Sequence, residues 1–401
     1  MQRESFQSLK TKSLYSKSDE RRKELIRIQK EKRNNALDLA RKILNEDRKE
    51  ADNENHFDNL DITKQATLIT PEEKKIRRQK ELMNHYLKRR QWLMTLQWPE
   101  WMNEIPCDLN GEQPENDGGW YVCPRLDGDR YILFTKGGNT YMRDSNGQFL
   151  FNTQSNFPGG SQKGSGVMLD CIYNPKYNTI IVYDIYQWNN MDLTCSSFDY
   201  RQYFISSKLN EDVYIVKIKK VTYTVKFTTL YECTPSSLSS CYNNIPSFPR
   251  NGLMFIYKNS SVETGMTPFL LLWKDQNTSQ YAITTDKHGN VPTKQNINLL
   301  YSNYGLYTAE QKQIMTVTES DIHNYQLEEG CLVKVEIDGI NLSTYNLINP
   351  SFRCKLGYSR VLPDSISKII YQYSLRVSPL TIDSIIQSVT PVNLSSNPIS
   401  S

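Results

Sequence analysis

Side chains suited to metal or nucleophilic chemistry are sparse in this 401-residue chain. Its four histidines, His56, His85, His288 and His323, are scattered, and its eight cysteines form no Cys-x-x-Cys pair. A zinc ribbon, a disulfide scaffold and a histidine-based triad are therefore not expected, and no metal or cofactor is predicted. The densest charged constellation among the hydrophobic runs is Arg125-Leu126-Asp127-Gly128-Asp129-Arg130. A guanidinium fork there suits a phosphate group.

The elements that must carry these residues differ along the chain. Lys and Arg total 48 against 44 Asp and Glu, a net charge of only +4. Residues 1–50 nevertheless hold 15 basic and 9 acidic side chains, and residues 51–95 hold 9 and 7, so the remainder is net acidic. No Phe, Tyr or Trp lies between Ser16 and His56, whereas Tyr and Trp are frequent beyond Trp92. A basic arm thus precedes an aromatic-rich body. No apolar run reaches the roughly 18 residues of a membrane helix, Phe269 to Trp273 being typical of the best. The opening Met1-Gln2-Arg3-Glu4-Ser5 has no apolar stretch, so neither a secretory signal nor a membrane partner is expected.

The arm reads as helix. Ser18 is a capping residue, and Asp19 and Glu20 put carboxylates in the first turn, where the helix dipole favours them. Leu25, Ile28, Ala36, Leu39 or Ala40, and Ile43 form a thin stripe at helical spacing. So narrow a stripe predicts order only on a partner; taken alone, the charge run also fits a solvated or coiled-coil helix. A second basic stretch runs from Lys74 to Arg90 after a polar, acidic segment, Asp52 to Asp61.

From about Gln97 the periodicity changes to short β-branched and aromatic strands bounded by Gly, Asn, Asp and Pro. They include Trp120–Cys123, Arg130–Phe134, Val167–Tyr173, Thr179–Tyr186, Gly252–Tyr257 and Pro268–Trp273, with one helix between Asp199 and Leu209. The class predicted is α+β, a twisted and mostly antiparallel sheet body. The expected division is 1–50 arm, 51–95 linker with a basic helix, 96–290 binding domain, 291–390 appended region, and 391–401 disordered tail.

The order of short motifs resembles the covalent nucleotidyltransferase superfamily, which includes messenger-RNA capping guanylyltransferases and nucleic-acid ligases. That family's nucleophile motif is Lys-x-Asp-Gly-x-Arg, matched here by Arg125 to Arg130. Leu169-Asp170-Cys171-Ile172 stands where the family has Asp-Gly-Glu, Val182-Tyr183-Asp184-Ile185 resembles its Tyr-Asp strand, Asn251-Gly252-Leu253-Met254-Phe255 its Glu-Gly-Leu strand, and Leu272-Trp273-Lys274 its Lys-x-Lys strand. A lysine nucleophile works because its amine can lose a proton, whereas a guanidinium stays protonated. Arg125 therefore cannot form a lysyl-nucleotide, and Ile172, Asn251 and Leu272 replace two carboxylates and a phosphate lysine. The pattern implies a nucleotide pocket without catalytic residues, hence no enzyme.

Within this group the chain is similar to the snurportin family of import adaptors, on Glu100 to Leu109, Val122-Cys123-Pro124, Phe157-Pro158-Gly159-Gly160, Leu169 to Asn174, Ser206 to Leu209, Asn251 to Phe255, and Thr267 to Trp273. The resemblance spans about residues 10–50 and 97–275. It implies that Trp101 and Trp273 contact the base of a trimethylguanosine cap on small nuclear RNA. A base methylated on its imidazole ring is cationic, so an indole face offers stacking and cation–π attraction. It also implies Arg130 as a ligand of the cap phosphates, although Asp129 departs from the family's basic pair; Lys136 and Arg143 on the next hairpin are further candidates, each also fitting a solvated surface charge, and the fork of Arg125 could take phosphate instead. On the arm it implies importin-β contacts by Arg21, Arg22, Lys23, Arg27, Lys30, Lys32, Arg33, Arg41 and Lys42. An exportin would return the empty adaptor, with Met1, Phe6, Leu9 and Leu14 as an apolar contact series, and the protein would shuttle between cytoplasm and nucleus. The alternatives are a capping guanylyltransferase or RNA-ligase-like enzyme using another lysine, and a structural RNA-associated protein whose arm binds phosphate. Residues 330–390 faintly resemble the oligonucleotide-binding domain that ends capping enzymes, without its Arg-x-Asp-Lys motif near Tyr358 to Val361.

Overall fold

The computed structural model describes residues 18–46, 92, 95–111, 119–144, 147–218, 220–244, 249–279, 282–283, 285, 290–357 and 362–390, with side chains of the first helix described through residue 34. The basic stretch Lys74 to Arg90, the series Met1, Phe6, Leu9 and Leu14, the stretch Tyr358 to Val361 and the tail 391–401 lie outside the described residues.

Helix α1 (Ser18–Glu46) precedes β1 (Gln97–Trp101), β2 (Trp120–Leu126), β3 (Asp129–Lys136), β4 (Asn139–Asp144), β5 (Phe149–Ser155), β6 (Val167–Tyr173), β7 (Thr179–Trp188) and β8 (Met191–Asp192). Helix α2 (Phe198–Glu211) leads to β9 (Ile215–Ile218), β10 (Val221–Phe227) and β11 (Tyr231–Glu232). Helix α3 (Pro235–Asn243) leads to β12 (Arg250–Tyr257) and β13 (Gly265–Trp273). The C-terminal part holds β14 (Gln295–Ser302), β15 (Gly305–Tyr307), β16 (Gln313–Thr316), α4 (Glu319–Tyr325), β17 (Leu332–Ile337), β18 (Gly339–Ile340), β19 (Leu347–Ile348), β20 (Ser351–Gly357), α5 (Ile366–Val377) and α6 (Ile382–Ser388).

The fold is mixed α+β, built on two sheets that face each other and a third behind them. One sheet runs β1-β13-β12-β2-β11. The second runs β10-β9-β5-β4-β3-β6-β7-β8, and a parallel β10–β7 pairing closes seven of its strands into a barrel. Closure removes the exposed edges that an open sheet of this size presents. The third sheet, β16-β15-β14-β17-β20, belongs to the C-terminal part.

Alternation explains the composition of these strands. Along β2, β12 and β13, Val122, Leu253, Phe255, Phe269, Leu271 and Trp273 enter one core, while Cys123, Met254, Ile256 and Leu270 face the barrel with Ile172, Ile181 and Tyr183. The five-stranded sheet is covered on both faces, which is why Phe269 to Trp273 is continuously apolar. Its outer core is completed by Tyr371, Ile385 and Val389 from the C-terminal helices. The appended region is thus packed into the body.

Helix α1 starts at Ser18 with Asp19 and Glu20 in its first turn. The expectation that it orders only on a partner is corrected by its docking: Leu25 and Ile26 pack against the outer core. Gln29 is 4 % exposed, and its side chain accepts the Ser261 backbone N–H at 3.1 Å. Arg21 donates to both oxygens of Glu100. Polar anchors supplement the thin apolar stripe.

Candidate nucleotide site between the two sheets

The site begins at the end of β2. Tyr183 reaches across from β7, accepting the Leu126 N–H at 2.9 Å and donating to the Pro124 carbonyl at 3.0 Å, which fixes the backbone on both sides of Arg125. The Arg125 guanidinium donates to the Leu126 carbonyl. Burial depresses its pKa, and Arg130 adds to this, against Tyr183, Asp127 and Asp129; a guanidinium still remains charged. The turn that follows needs glycine. Gly128 has φ +147°, and a Cβ there would lie 2.8 Å from Ile172 Cγ2.

Lys274 lies just past β13. Its ammonium donates to Asn251 Oδ1 and lies 5.3 Å from the centre of the Trp101 ring. Ser279 also donates to Asn251 Oδ1, at 2.7 Å. Burial is the main reason that its pKa falls to about 8; Arg125 and Lys368 add to the depression and Asp127 opposes it. Gly252 at φ +111° permits the close approach of β12, since a Cβ would sit 2.6 Å from the Trp273 carbonyl.

Trp101 is half-buried at the end of β1. Its backbone N–H donates to Ser367 Oγ at 3.1 Å, and its ring centre lies 5.1 Å from that of Tyr371, tilted by 51°. Arg125, Lys274 and Trp101 therefore form one basic and aromatic corner, closed on one side by α5.

The other residues singled out in the sequence lie elsewhere. Register pairs Trp101 with Leu272, and the next residue, Trp273, points into the outer core. There it is 0 % exposed, with its indole N–H donating to the Leu380 carbonyl at 2.9 Å. Trp101 packs at the edge of that same core beside Tyr371, whereas Trp273 is enclosed within it, so the two tryptophans do not wall one open hollow. Arg130 is engaged by Asp170, Nε to Oδ1 at 2.9 Å, and by the Gln97 carbonyl at 2.6 Å, with Trp98 under its guanidinium. Burial would lower its pKa, but the Asp170 carboxylate outweighs burial and raises it. Tyr186 donates to the same carboxylate at 2.8 Å. Arg143 stacks over Trp92 at 4.3 Å and caps its own hairpin through the Gly147 carbonyl. Lys136 is exposed at the far end of β3, six residues or about 20 Å from Arg130 along the strand.

Asp184 illustrates how the motif carboxylates are used. Both of its oxygens accept from Arg201 at 2.8 Å, and Arg201 is 1 % exposed. Such buried pairs hold structure. Asp19, Cys107 and Asp108 come within ligand distance of one another, but the guanidinium of Arg22 already bridges the two carboxylates.

On the arm, Arg21 and Arg22 face the body, Arg22 being 2 % exposed. Lys23, Arg27, Lys30 and Lys32 are exposed and Arg33 is half-buried. Arg27 bridges Glu24 and Glu31 along the helix. Arg41 and Lys42 continue the same helix. The residues that sequence reasoning passed over are Lys368 and Tyr371, whose signal in the sequence is only an amphipathic helix almost a hundred residues after Lys274.

Residues 95–275 match the family model described as Snurportin1, m3G cap-binding domain. Among solved structures, the chain is similar to "mycobacterial DNA ligase D complexed with ATP and MES" at 10% identity, with 68% of this chain and 98% of that one covered and a TM-score of 0.32. The ligase domain from M. tuberculosis LigD gives 10% identity, 67% and 97% coverage and a TM-score of 0.30. A Lig E DNA ligase gives 12%, 65% and 98%, and 0.28. At those scores the ligases carry no argument about this chain.

Proposed function

We propose, from the premise that residues 95–275 are a snurportin-type cap-binding domain, that this protein is a nuclear import adaptor for small nuclear ribonucleoproteins. Its body holds the trimethylguanosine cap of the RNA, its arm binds importin-β, and an exportin returns it to the cytoplasm. The observation that carries the reading is the corner formed by Arg125, Lys274 and Trp101. A guanidinium stands where covalent transfer needs an amine, beside an ammonium and an indole that suit a methylated nucleotide.

In this reading the Trp101 face meets the cationic base, displacing Lys274 toward the phosphates, and Trp273 forms the apolar layer behind the strand. Arg125 takes a phosphate oxygen, while Arg130 keeps β3 in place through Asp170. The arm uses Arg21 and Arg22 as anchors to the body and offers Lys23, Arg27, Lys30 and Lys32 to the receptor. Arg33, Arg41 and Lys42 extend that basic helix.

Titrating the tryptophan fluorescence with trimethylguanosine, 7-methylguanosine and unmethylated cap dinucleotides tests the cap assignment. Saturable quenching by the trimethylated cap, weaker with the unmethylated one, is expected; equal affinity for both would overturn it.

One observation favours a second reading. Lys274, with its pKa lowered to about 8, is a lysine that could lose its proton and attack the α-phosphorus of GTP, breaking the α–β phosphoanhydride and releasing pyrophosphate, in a transferase using another lysine. Incubation with α-labelled GTP separates the two, since a covalent label on Lys274 would establish the enzyme and the adaptor reading expects none.

A further inference from the structure

We propose that helix α5 supplies Lys368 as a third cationic ligand for the phosphate bridge of the cap, beside Arg125 and Lys274. This rests on the cap-binding reading above. It concerns a part of the chain beyond the matched domain, which ends at residue 275.

Helix α5 is bonded to the corner at several points. The Lys274 backbone N–H donates to the Tyr371 hydroxyl at 2.8 Å, and that hydroxyl donates back to the Lys274 carbonyl. Ser367 accepts the Trp101 N–H through its hydroxyl, and its carbonyl accepts from the Asn103 side chain at 3.0 Å. Tyr371 is 3 % exposed. These bonds make the helix a wall of the site.

Lys368 lies three residues before Tyr371, hence on the same face of the helix. Its ammonium is close enough to Lys274 to contribute to that lysine's depressed pKa. The ionic groups converging here are Arg125 from β2, Lys274 from the end of β13, Lys368 from α5, and Asp127 from the β2–β3 turn. Arg130 is neutralised by Asp170. Three cations against two carboxylates, Asp127 and the Asp364 that holds Lys368, leave the corner net positive, and a polyphosphate can bridge groups that mutual repulsion would otherwise separate.

Lys368 can make that contact cheaply. Its side chain is 38 % exposed and rests on Asp364 at 2.6 Å. Asp364 also accepts the Asn298 N–H at 2.8 Å, so it keeps a partner when the lysine turns toward phosphate. Tyr371 is a positioning residue here, bracing Trp101 and Lys274.

The test compares the full-length protein with Lys368→Ala and Lys368→Arg by calorimetric titration of three probes: the trimethylated cap dinucleotide, the trimethylguanosine nucleoside, and inorganic tripolyphosphate. Lys368→Ala is expected to weaken the dinucleotide and tripolyphosphate about tenfold, to leave the nucleoside unchanged, and to be rescued largely by Lys368→Arg. A structural role would shift the nucleoside equally, and that result would overturn the proposal, as would unchanged tripolyphosphate affinity. If the methylated base proves irrelevant while tripolyphosphate still depends on Lys368, the cap reading fails and the anion site stands. If the wild type binds the cap tightly and Lys368→Ala does so equally, the reverse holds. A wild type that binds no tripolyphosphate overturns the anion site outright.

Discussion

Arg22 donates to Asp108 at 2.8 Å with both side chains almost wholly removed from water, 2 % and 1 % exposed. The guanidinium also bonds Asp19 at 2.6 Å and lies 4.8 Å from the centre of the Trp120 ring, and the Trp120 indole N–H donates to Asp108 at 3.0 Å. A residue drawn from the basic arm thus sits in the wall of the body. Its attraction operates where screening by water is weak. Removing it would leave Asp108 buried beside one remaining donor.

Arg22→Ala should therefore destabilise the protein by about 3–5 kcal/mol, the range for breaking a buried ion pair. Arg27→Ala, whose side chain is 58 % exposed, should leave stability close to that of wild type, because its ion pairs are screened by water. Urea unfolding of both variants checks the contrast. Equal effects would mean that the arm is not anchored through Arg22.

Charge reversal at Lys23, Arg27 and Lys30 should abolish capture by importin-β while leaving the unfolding midpoint near that of wild type, as for most surface changes. Retained capture would remove the exposed arm face from the receptor contact. The buried pair of arginines is unsuitable for this test, since its loss acts on stability first.

The two tryptophans should behave differently. Trp273→Ala empties a site that is 0 % exposed and should cost about 3–5 kcal/mol of stability. Trp101→Ala should cost less in folding but weaken cap binding by about 1–3 kcal/mol, the loss of one base stack. Parallel unfolding and cap titrations read both quantities. Unchanged cap affinity in a folded Trp101→Ala protein would count against that ring as the base contact.

Lys274 sets a pH dependence of two opposite signs. Burial, followed by Arg125 and Lys368, lowers its pKa from 10.5 to about 8 against the pull of Asp127. The unfolded chain then binds more protons than the folded one between about pH 8 and 10.5, so this group's contribution to stability rises through that window and is lost as pH falls through 8. Affinity for cap phosphates should move the other way, falling as pH rises above 8 and the ammonium deprotonates. Lys274→Met should flatten both trends. A cap affinity that is level from pH 7 to 9 would remove Lys274 from the phosphate contact.

The local elements were legible in the sequence because their causes are local. Ser18, Asp19 and Glu20 mark the start of α1 through the helix dipole, and the β-branched runs bounded by Gly and Asn mark β6, β7 and β12. The arginine at position 125 excludes a lysyl adduct at that position by chemistry alone, whatever the fold. Three further facts depended on contacts between distant segments. Trp273 faces the outer core because β13 pairs with β1 in one register and the C-terminal helices cover that face; alternation says which residues share a face but not which face is covered. Arg21 and Arg22 are engaged because Glu100 and Asp108, about eighty residues away, are brought to α1. Lys274 gains its aromatic and cationic neighbours because β1, β2 and α5 converge on the end of β13. Residue type constrains chemistry in advance, but burial and partnership arise only when the chain closes on itself, since a charge is tuned by whatever lies within a few ångströms of it in space.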